Sequence, residues 1–159
     1  MKKLKTKDLS FKTKVLAQNK RAWNRYQILD KIEAGIVLTG SETKSVKNHQ
    51  INLKDSYAKI INGEVWLINA HISPYRFSAE RFDPTRSRKL LLKKSQIVSL
   101  AGKIKSGLTL IPLRIYLKNN FLKVELAIAK GLKLYNKKRL LKEKELKREA
   151  ERELKNRSD

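Results

Sequence analysis

The chain has 159 residues, 40% hydrophobic and 33% charged, enough apolar material for one core but not for a core running its whole length. With 38 Lys and Arg against 15 Asp and Glu, its net charge is +23, which predicts a polyanionic partner, nucleic acid or an anionic membrane surface. The lack of cysteine excludes disulfides and thiolate metal sites. No apolar run approaches the roughly 20 residues of a membrane span, and the basic N-terminus lacks a signal-peptide core, so no membrane span is expected and the expected compartment is the cytoplasm.

Residues 1–16 are Lys-rich without a sustained period and read as a flexible basic arm. Asn19, Lys20, Arg21 and Arg25 gather polar and positive groups ahead of the first strand. Tyr26, Ile28 and Ile32 share one parity and predict a half-buried strand over 26–32, paired with a second over 34–38. Thr39 and Glu42 then have the spacing of a capping box, which predicts a helix to about Asn48.

Residues 51–55 read as a connector. Asn62-Gly63 between the β-rich runs 56–61 and 64–68 predicts a type I′ hairpin, with Trp66 in the core and Tyr57 ambiguous. Residues 69–82 read as irregular, and 83–89 as a polar loop that concentrates Arg86, Arg88 and Lys89. Ser95 is the expected N-cap of a helix using Ile97, Val98, Leu100, Ala101 and Ile104, with Gly107 as its stop. The apolar run 108–117 predicts a strand in which Pro112 marks an edge or a bulge. Asn119-Asn120 turns the chain into a further strand over 121–129.

From Tyr135 on, strong helix formers and Glu-to-basic pairs (Glu143 with Lys147, Glu151 with Lys155, Glu153 with Arg157) predict a helix. Its apolar stripe is thin, so it should be partial alone and complete on a partner. The expected domains are thus the arm 1–16, a β-rich domain 17–130 and a basic tail 131–159, disordered or partly helical alone. The fold class is mainly β with accessory helices: six antiparallel strands in an oligonucleotide-binding (OB) type barrel, because closure removes exposed edges.

Nucleotide-binding, hydrolase and metalloprotease motifs are all absent. His49 and His71 are the only near-neutral bases, and nothing in their segments brings them together as a nuclease pair. No catalytic residue, metal or cofactor is expected. Binding chemistry is better supplied: Trp23, Tyr26 and Tyr75 lie near the charges and suit stacking on bases. A structural ribosomal protein or general RNA chaperone shares this profile.

Seven segments, NKRA (19–22), EAGIVLTGSE (33–42), NLKDSY (52–57), GEVWL (63–67), HISPY (71–75), DPTRSRKLLL (83–92) and KVEL (123–126), resemble the SsrA-binding (small protein B) family in that family's order. The resemblance covers nearly the whole chain after the first dozen residues. It implies a non-catalytic monomer that binds the tRNA-like domain of transfer-messenger RNA and delivers it to stalled ribosomes for peptide tagging. It also implies elongation factor Tu and alanyl-tRNA synthetase as indirect partners through that RNA. The family's RNA-contact positions match at Tyr26, Glu33 and Leu91, with Lys93 where relatives often have Asn and a phosphate contact as its natural role. A ribosome-binding tail is implied over Gly131, Lys133, Tyr135, Asn136, Lys137, Lys138, Arg139, Lys142 and Lys144. In it Asn136-Lys137-Lys138 stands where relatives have Asp-Lys-Arg, and lysine does not reproduce a guanidinium fork.

Overall fold

The computed structural model describes residues 13–132 and 134–157. Thr13–Gln18 (β1) is followed by Ala22–Arg25 (α1), Tyr26–Ile36 (β2), Gly40–Lys47 (α2), Ile51–Asn52 (β3), Tyr57–Ile61 (β4) and Glu64–Ile68 (β5). Then come His71–Ile72 (β6), Arg88–Leu91 (β7), Lys94–Lys105 (α3), Thr109–Lys118 (β8), Phe121–Gly131 (β9) and Leu134–Asn156 (α4).

Six strands form a closed ring in the order β8-β4-β5-β7-β2-β9, with β9 returning to β8, and every pairing is antiparallel. The seam between β4 and β8 is the narrowest, with one pair, Ala58 opposite Leu110. Beyond it, β1 covers the far end of β8, from Arg114 to Lys118. The ring encloses Ala34, Val65, Leu67, Leu90, Leu110, Ile115, Val124 and Leu126. Val46 from α2 and Leu100 from α3 join the same cluster.

Local chemistry explains most elements. Asn62 (φ 51°) and Gly63 (φ 74°) both take the left-handed conformation that a type I′ turn needs. Asn119 (φ 50°) and Asn120 (φ 66°) make the β8–β9 turn in the same way. Gly107 (φ 89°) stops α3 as expected. Pro112 lies next to a register shift between Pro112 and Arg114, so the bulge it signalled is present, inside a strand paired on both sides.

The structure corrects several readings. Thr13–Leu16, assigned to the arm, are strand, and residues 1–12 lie outside the described residues. The two strands expected over 26–38 are one strand. A register shift between Ile28 and Asp30 turns Tyr26 and Ile28 outward while Ile32 and Ala34 face the core, so their shared parity was misleading. Arg88 and Lys89 belong to β7, not to a loop. Helix α3 starts at Lys94, with the Gln96 side chain accepting the Lys93 amide, so Ser95 is already helical; Val98 faces solvent. Trp66, expected in the core, stands half-buried on the outer side of β5, cross-strand from Lys59 and Lys89, because Val65 and Leu67 take the inner parity. The segment expected to be only partly helical alone is one unbroken helix from Leu134 to Asn156, with no Gly or Pro to break it and an Arg139–Glu143 ion pair at 3.7 Å.

Beneath the loop 73–87 lies a buried polar knot. Thr39 and Glu42 form the expected capping box, with the Glu42 amide 3.3 Å from Thr39 Oγ1 and the Thr39 amide 3.0 Å from Glu42 Oε2. The fully buried Glu42 also accepts from Arg86 (Nη2 to Oε2, 2.5 Å) and Arg88 (Nε to Oε1, 2.8 Å). Arg88 is equally buried and donates further to the carbonyls of Ala70, Arg86 and Pro84. Burial works against ionisation of Glu42, but the Arg86, Thr39 and Arg88 hydrogen bonds outweigh it and hold the carboxyl below its ordinary value of 4.5. A depressed carboxyl contributes stability that is present above the unfolded-state value and lost as pH falls through the folded one. Acid titration followed by circular dichroism is therefore expected to show the Glu42 contribution to stability fading as pH falls below the unfolded-state value and gone once the folded-state carboxyl protonates.

Candidate nucleic-acid interface

The outer face of β2, β8 and β9 divides into two halves. At one end Tyr26, Ile28, Ile111, Leu113, Ala127 and Ala129 form a second apolar cluster, covered by Ala22 of α1. At the other end the same face turns polar. Register places Glu33 opposite Glu125, Arg114 opposite Glu125, and Tyr116 opposite Lys123.

These side chains form a network. Arg114 donates Nε and Nη2 to the two oxygens of Glu125 at 3.0 and 3.2 Å, and its guanidinium lies 5.3 Å from the Tyr116 ring centre. The Tyr116 hydroxyl donates to Glu33 Oε2, and Lys118 Nζ reaches the same oxygen at 3.3 Å. Burial, then the Glu33 carboxylate, pushes the Tyr116 hydroxyl well above its ordinary range, so it stays a neutral donor. The Tyr116 hydrogen bond, with help from Lys118, holds the Glu33 carboxyl below its ordinary value. Glu33 is thus a half-exposed carboxylate fixed through Oε2. Among the described residues its side-chain bonds fall on Oε2, which leaves Oε1 acceptor capacity for a donor outside the protein, such as a base amine or a ribose hydroxyl.

Leu91 lies beside this carboxylate. Gly35, two residues along β2 from Glu33, pairs with Leu91, and a β-carbon at Gly35 would stand 3.2 Å from the Leu91 Cβ. The glycine lets Leu91 lie across the strand, where it is 52% exposed. Lys93 follows at the start of α3, also exposed. The structure therefore brings Glu33, Leu91 and Lys93 to one region, joined by Lys118 and Lys123.

Tyr26 belongs to the opposite end of β2, roughly 20 Å away at the rise of a strand. Around it Lys20 and Arg21 are exposed, and Arg25 pairs with Asp55 at 2.8 Å. Trp23 is half-exposed, with the Lys31 ammonium 4.9 Å above its ring. Trp23, Lys20, Lys31, Arg114 and Glu125 line one cleft that links the two ends of the face.

Other expected contacts are engaged within the protein. Asn19 is buried and donates its side-chain amide to the Pro112 carbonyl at 3.1 Å, which pins α1 to the β8 bulge. Arg88 is inaccessible, and Arg86 is spent on Glu42, so the positive loop expected over 83–89 is largely neutralised from within. Lys89 is half-exposed and pairs with Glu64 at 2.6 Å. His49 bonds to the Leu16 carbonyl, whereas His71 stands opposite Asn52. Of the tail residues, Gly131 pairs with Tyr26; Lys133 and the side chains of Tyr135, Asn136 and Lys137 lie outside the described residues. Lys138, Arg139, Lys142 and Lys144 are exposed on α4.

Sequence reasoning missed Lys31, Arg114, Tyr116, Lys118 and Glu125. A signal existed: polar or amphipathic residues at 114, 116 and 118, and at 123 and 125, keep one parity within otherwise apolar strands. Among the described residues there is no group of three or more metal-ligating side chains and no helix long and apolar enough to cross a membrane.

A family model described as "SmpB protein" matches residues 16–156. An SsrA-binding protein of Sulfurihydrogenibium sp. (strain YO3AOP1) is 54% identical over 144 residues, covering 89% of this chain and 95% of the relative. One of Desulfitobacterium hafniense (strain DSM 10664 / DCB-2) is 51% identical over 142 residues, covering 87% and 90%. One of Streptococcus thermophilus (strain ATCC BAA-491 / LMD-9) is 54% identical over 143 residues, covering 89% and 93%. A solved chain from "tmRNA-SmpB: a journey to the center of the bacterial ribosome" is 41% identical with a TM-score of 0.63, covering 74% of this chain and 85% of that one.

Proposed function

Since the chain belongs to the SmpB protein family, we propose that it binds the tRNA-like domain of transfer-messenger RNA and brings that RNA to stalled ribosomes for trans-translation. The observation that carries this reading down to residues is the Glu33 carboxylate, anchored by Tyr116 and Lys118 with one oxygen left to accept. The closed ring of strands acts as an OB-type barrel, and its outer face over β2, β8 and β9 is the RNA surface. Glu33 reads a base or ribose donor, Leu91 supplies an apolar contact, and Lys93, Lys118 and Lys123 meet phosphates. Trp23 and Tyr26 stack on unpaired bases at the far end, with Lys20, Arg21 and Arg25 beside them. Helix α4 enters the vacant mRNA channel and meets the decoding centre, led by Lys138, Arg139 and Lys142. The protein works in the cytoplasm as a monomer without catalysis of its own, and meets elongation factor Tu and alanyl-tRNA synthetase only through the RNA.

The direct test is the RNA that copurifies with the protein: transfer-messenger RNA in molar yield supports the reading, and bulk ribosomal RNA alone replaces it with a general RNA chaperone. Two quantitative results are expected. Glu33→Ala weakens binding of the tRNA-like domain about tenfold, the loss of one charge-assisted hydrogen bond, while circular dichroism stays unchanged. Affinity also falls roughly a thousandfold or more between about 50 and 200 mM salt, as for a protein neutralising at least six phosphates. A flat salt response, or full binding by Glu33→Ala, contradicts the assignment of this face.

A further inference from the structure

Helix α1 and the first turns of α4 face each other across a groove of about 310 Å³. Trp23, Tyr26 and Leu132 form its body wall, and Leu140 and Leu141 the tail wall, with Lys144 and Lys147 also lining it. Leu140, Lys144 and Lys147 follow one another at i, i+4 and i+7, hence on one helix face. The acid bordering the groove, Glu143, is engaged by Arg139 at 3.7 Å. Leu140 (36%) and Leu141 (43%) are less exposed than Leu146 (57%) and Leu154 (66%) farther along the same helix.

Aromatic and aliphatic walls around a groove of this size, with ammonium groups in its lining, suit a nucleotide: base inside, phosphate outside. Trp23 lines both this groove and the cleft of Lys20, Lys31 and Arg114. An RNA strand crossing the polar outer face can therefore reach the groove along Lys20, Lys31 and Trp23. We infer that the groove is a subsite for one unpaired nucleotide of the bound RNA, built jointly by the body and the tail helix. The inference rests on the RNA-binding reading above and adds α4 to the RNA surface. Because one wall belongs to each part, a nucleotide in the groove fixes the direction in which α4 leaves the body. Cargo binding and tail placement are then linked, and the linkage is reciprocal.

The test uses the full chain labelled with 5-fluorotryptophan, whose two tryptophans give two fluorine signals, the Trp23 signal being assigned with Trp23→Phe. Short single-stranded oligoadenylate is the probe, and binding of the tRNA-like domain is measured on the same samples. Oligoadenylate is expected to shift the Trp23 signal saturably. Leu141→Asp, and separately Lys144→Gln with Lys147→Gln, are expected to weaken that response about five- to tenfold. Because Leu141 and both lysines sit on an exposed helix, these variants leave the ring of strands folded. The inference is overturned if the Trp23 signal stays silent while the tRNA-like domain binds normally. It is overturned equally if the tail variants respond like the parent, which places the nucleotide on the body alone. A tighter response in the tail variants overturns it too, since α4 then covers the aromatics instead of completing their site. Failure of the broader reading looks different: the tRNA-like domain itself does not bind.

Discussion

Replacing Glu42 by alanine will lower the unfolding free energy by about 3–5 kcal/mol in urea denaturation, the largest stability effect expected from one substitution in this chain. The reason lies in what remains. Arg88 is fully buried and would lose its counter-charge while keeping its desolvation cost, and Arg86 would lose both of its contacts with the same carboxylate. The capping box of α2 would go as well, since the Thr39 amide bonds to Glu42 Oε2; that adds about 1 kcal/mol. Removing both charges is a different experiment. Glu42→Leu with Arg88→Met leaves no uncompensated ion and should recover a large part of the loss. A measured cost below about 1 kcal/mol for Glu42→Ala would mean that the Arg88 side chain reaches water after the substitution, and the account of the knot would fall.

Cutting the chain after Gly131 will abolish tagging of peptides on stalled ribosomes while lowering affinity for the tRNA-like domain by no more than about tenfold, or about 1.4 kcal/mol. Glu33, Leu91, Lys118 and Lys123 all belong to strands that end before the cut, and Gly131 itself keeps its pairing with Tyr26. Helix α4 spans 23 residues, roughly 35 Å at the rise of an α-helix. Its charge is uneven: Lys137, Lys138, Arg139 and Lys142 precede the first glutamate, and its first turn holds no acid. Cations at a helix N-terminus oppose the helix dipole, so a phosphate-rich channel would stabilise this helix further by neutralising them. A loss of affinity of about a hundredfold on truncation would place the main RNA contact in the tail and end the division between a body that binds cargo and a tail that reads the ribosome.

Elements set by neighbouring residues were legible in the chain itself. The Asn62-Gly63 hairpin, the Thr39–Glu42 capping box, the Gly107 stop and the Pro112 bulge each depend on a conformational preference or a hydrogen bond spanning a few residues. The net charge identified the partner as polyanionic, and the ordered motifs named the family. Of the proposed site, Glu33, Leu91 and Lys93 were legible through resemblance alone.

Tertiary structure decided the rest, because it depends on which strands lie side by side. Nothing local distinguishes Arg88, buried on a carboxylate 46 positions earlier, from an arginine that meets phosphate. The fate of Asn19 rests on a carbonyl 93 positions away. The register shift at Ile28 and Asp30 reverses which side of β2 faces water, and a single extra residue does so without any mark in the polarity pattern. The acceptor at the centre of the interface is likewise a tertiary product. Glu33 is held by Tyr116 and Lys118, more than 80 residues away, only because β8, β9 and β2 are consecutive in the ring. The composition determined that this protein would seek a polyanion; the closure of the sheet determined which carboxylate and which cations it presents, since hydrogen-bonded register, not sequence distance, sets what each side chain touches.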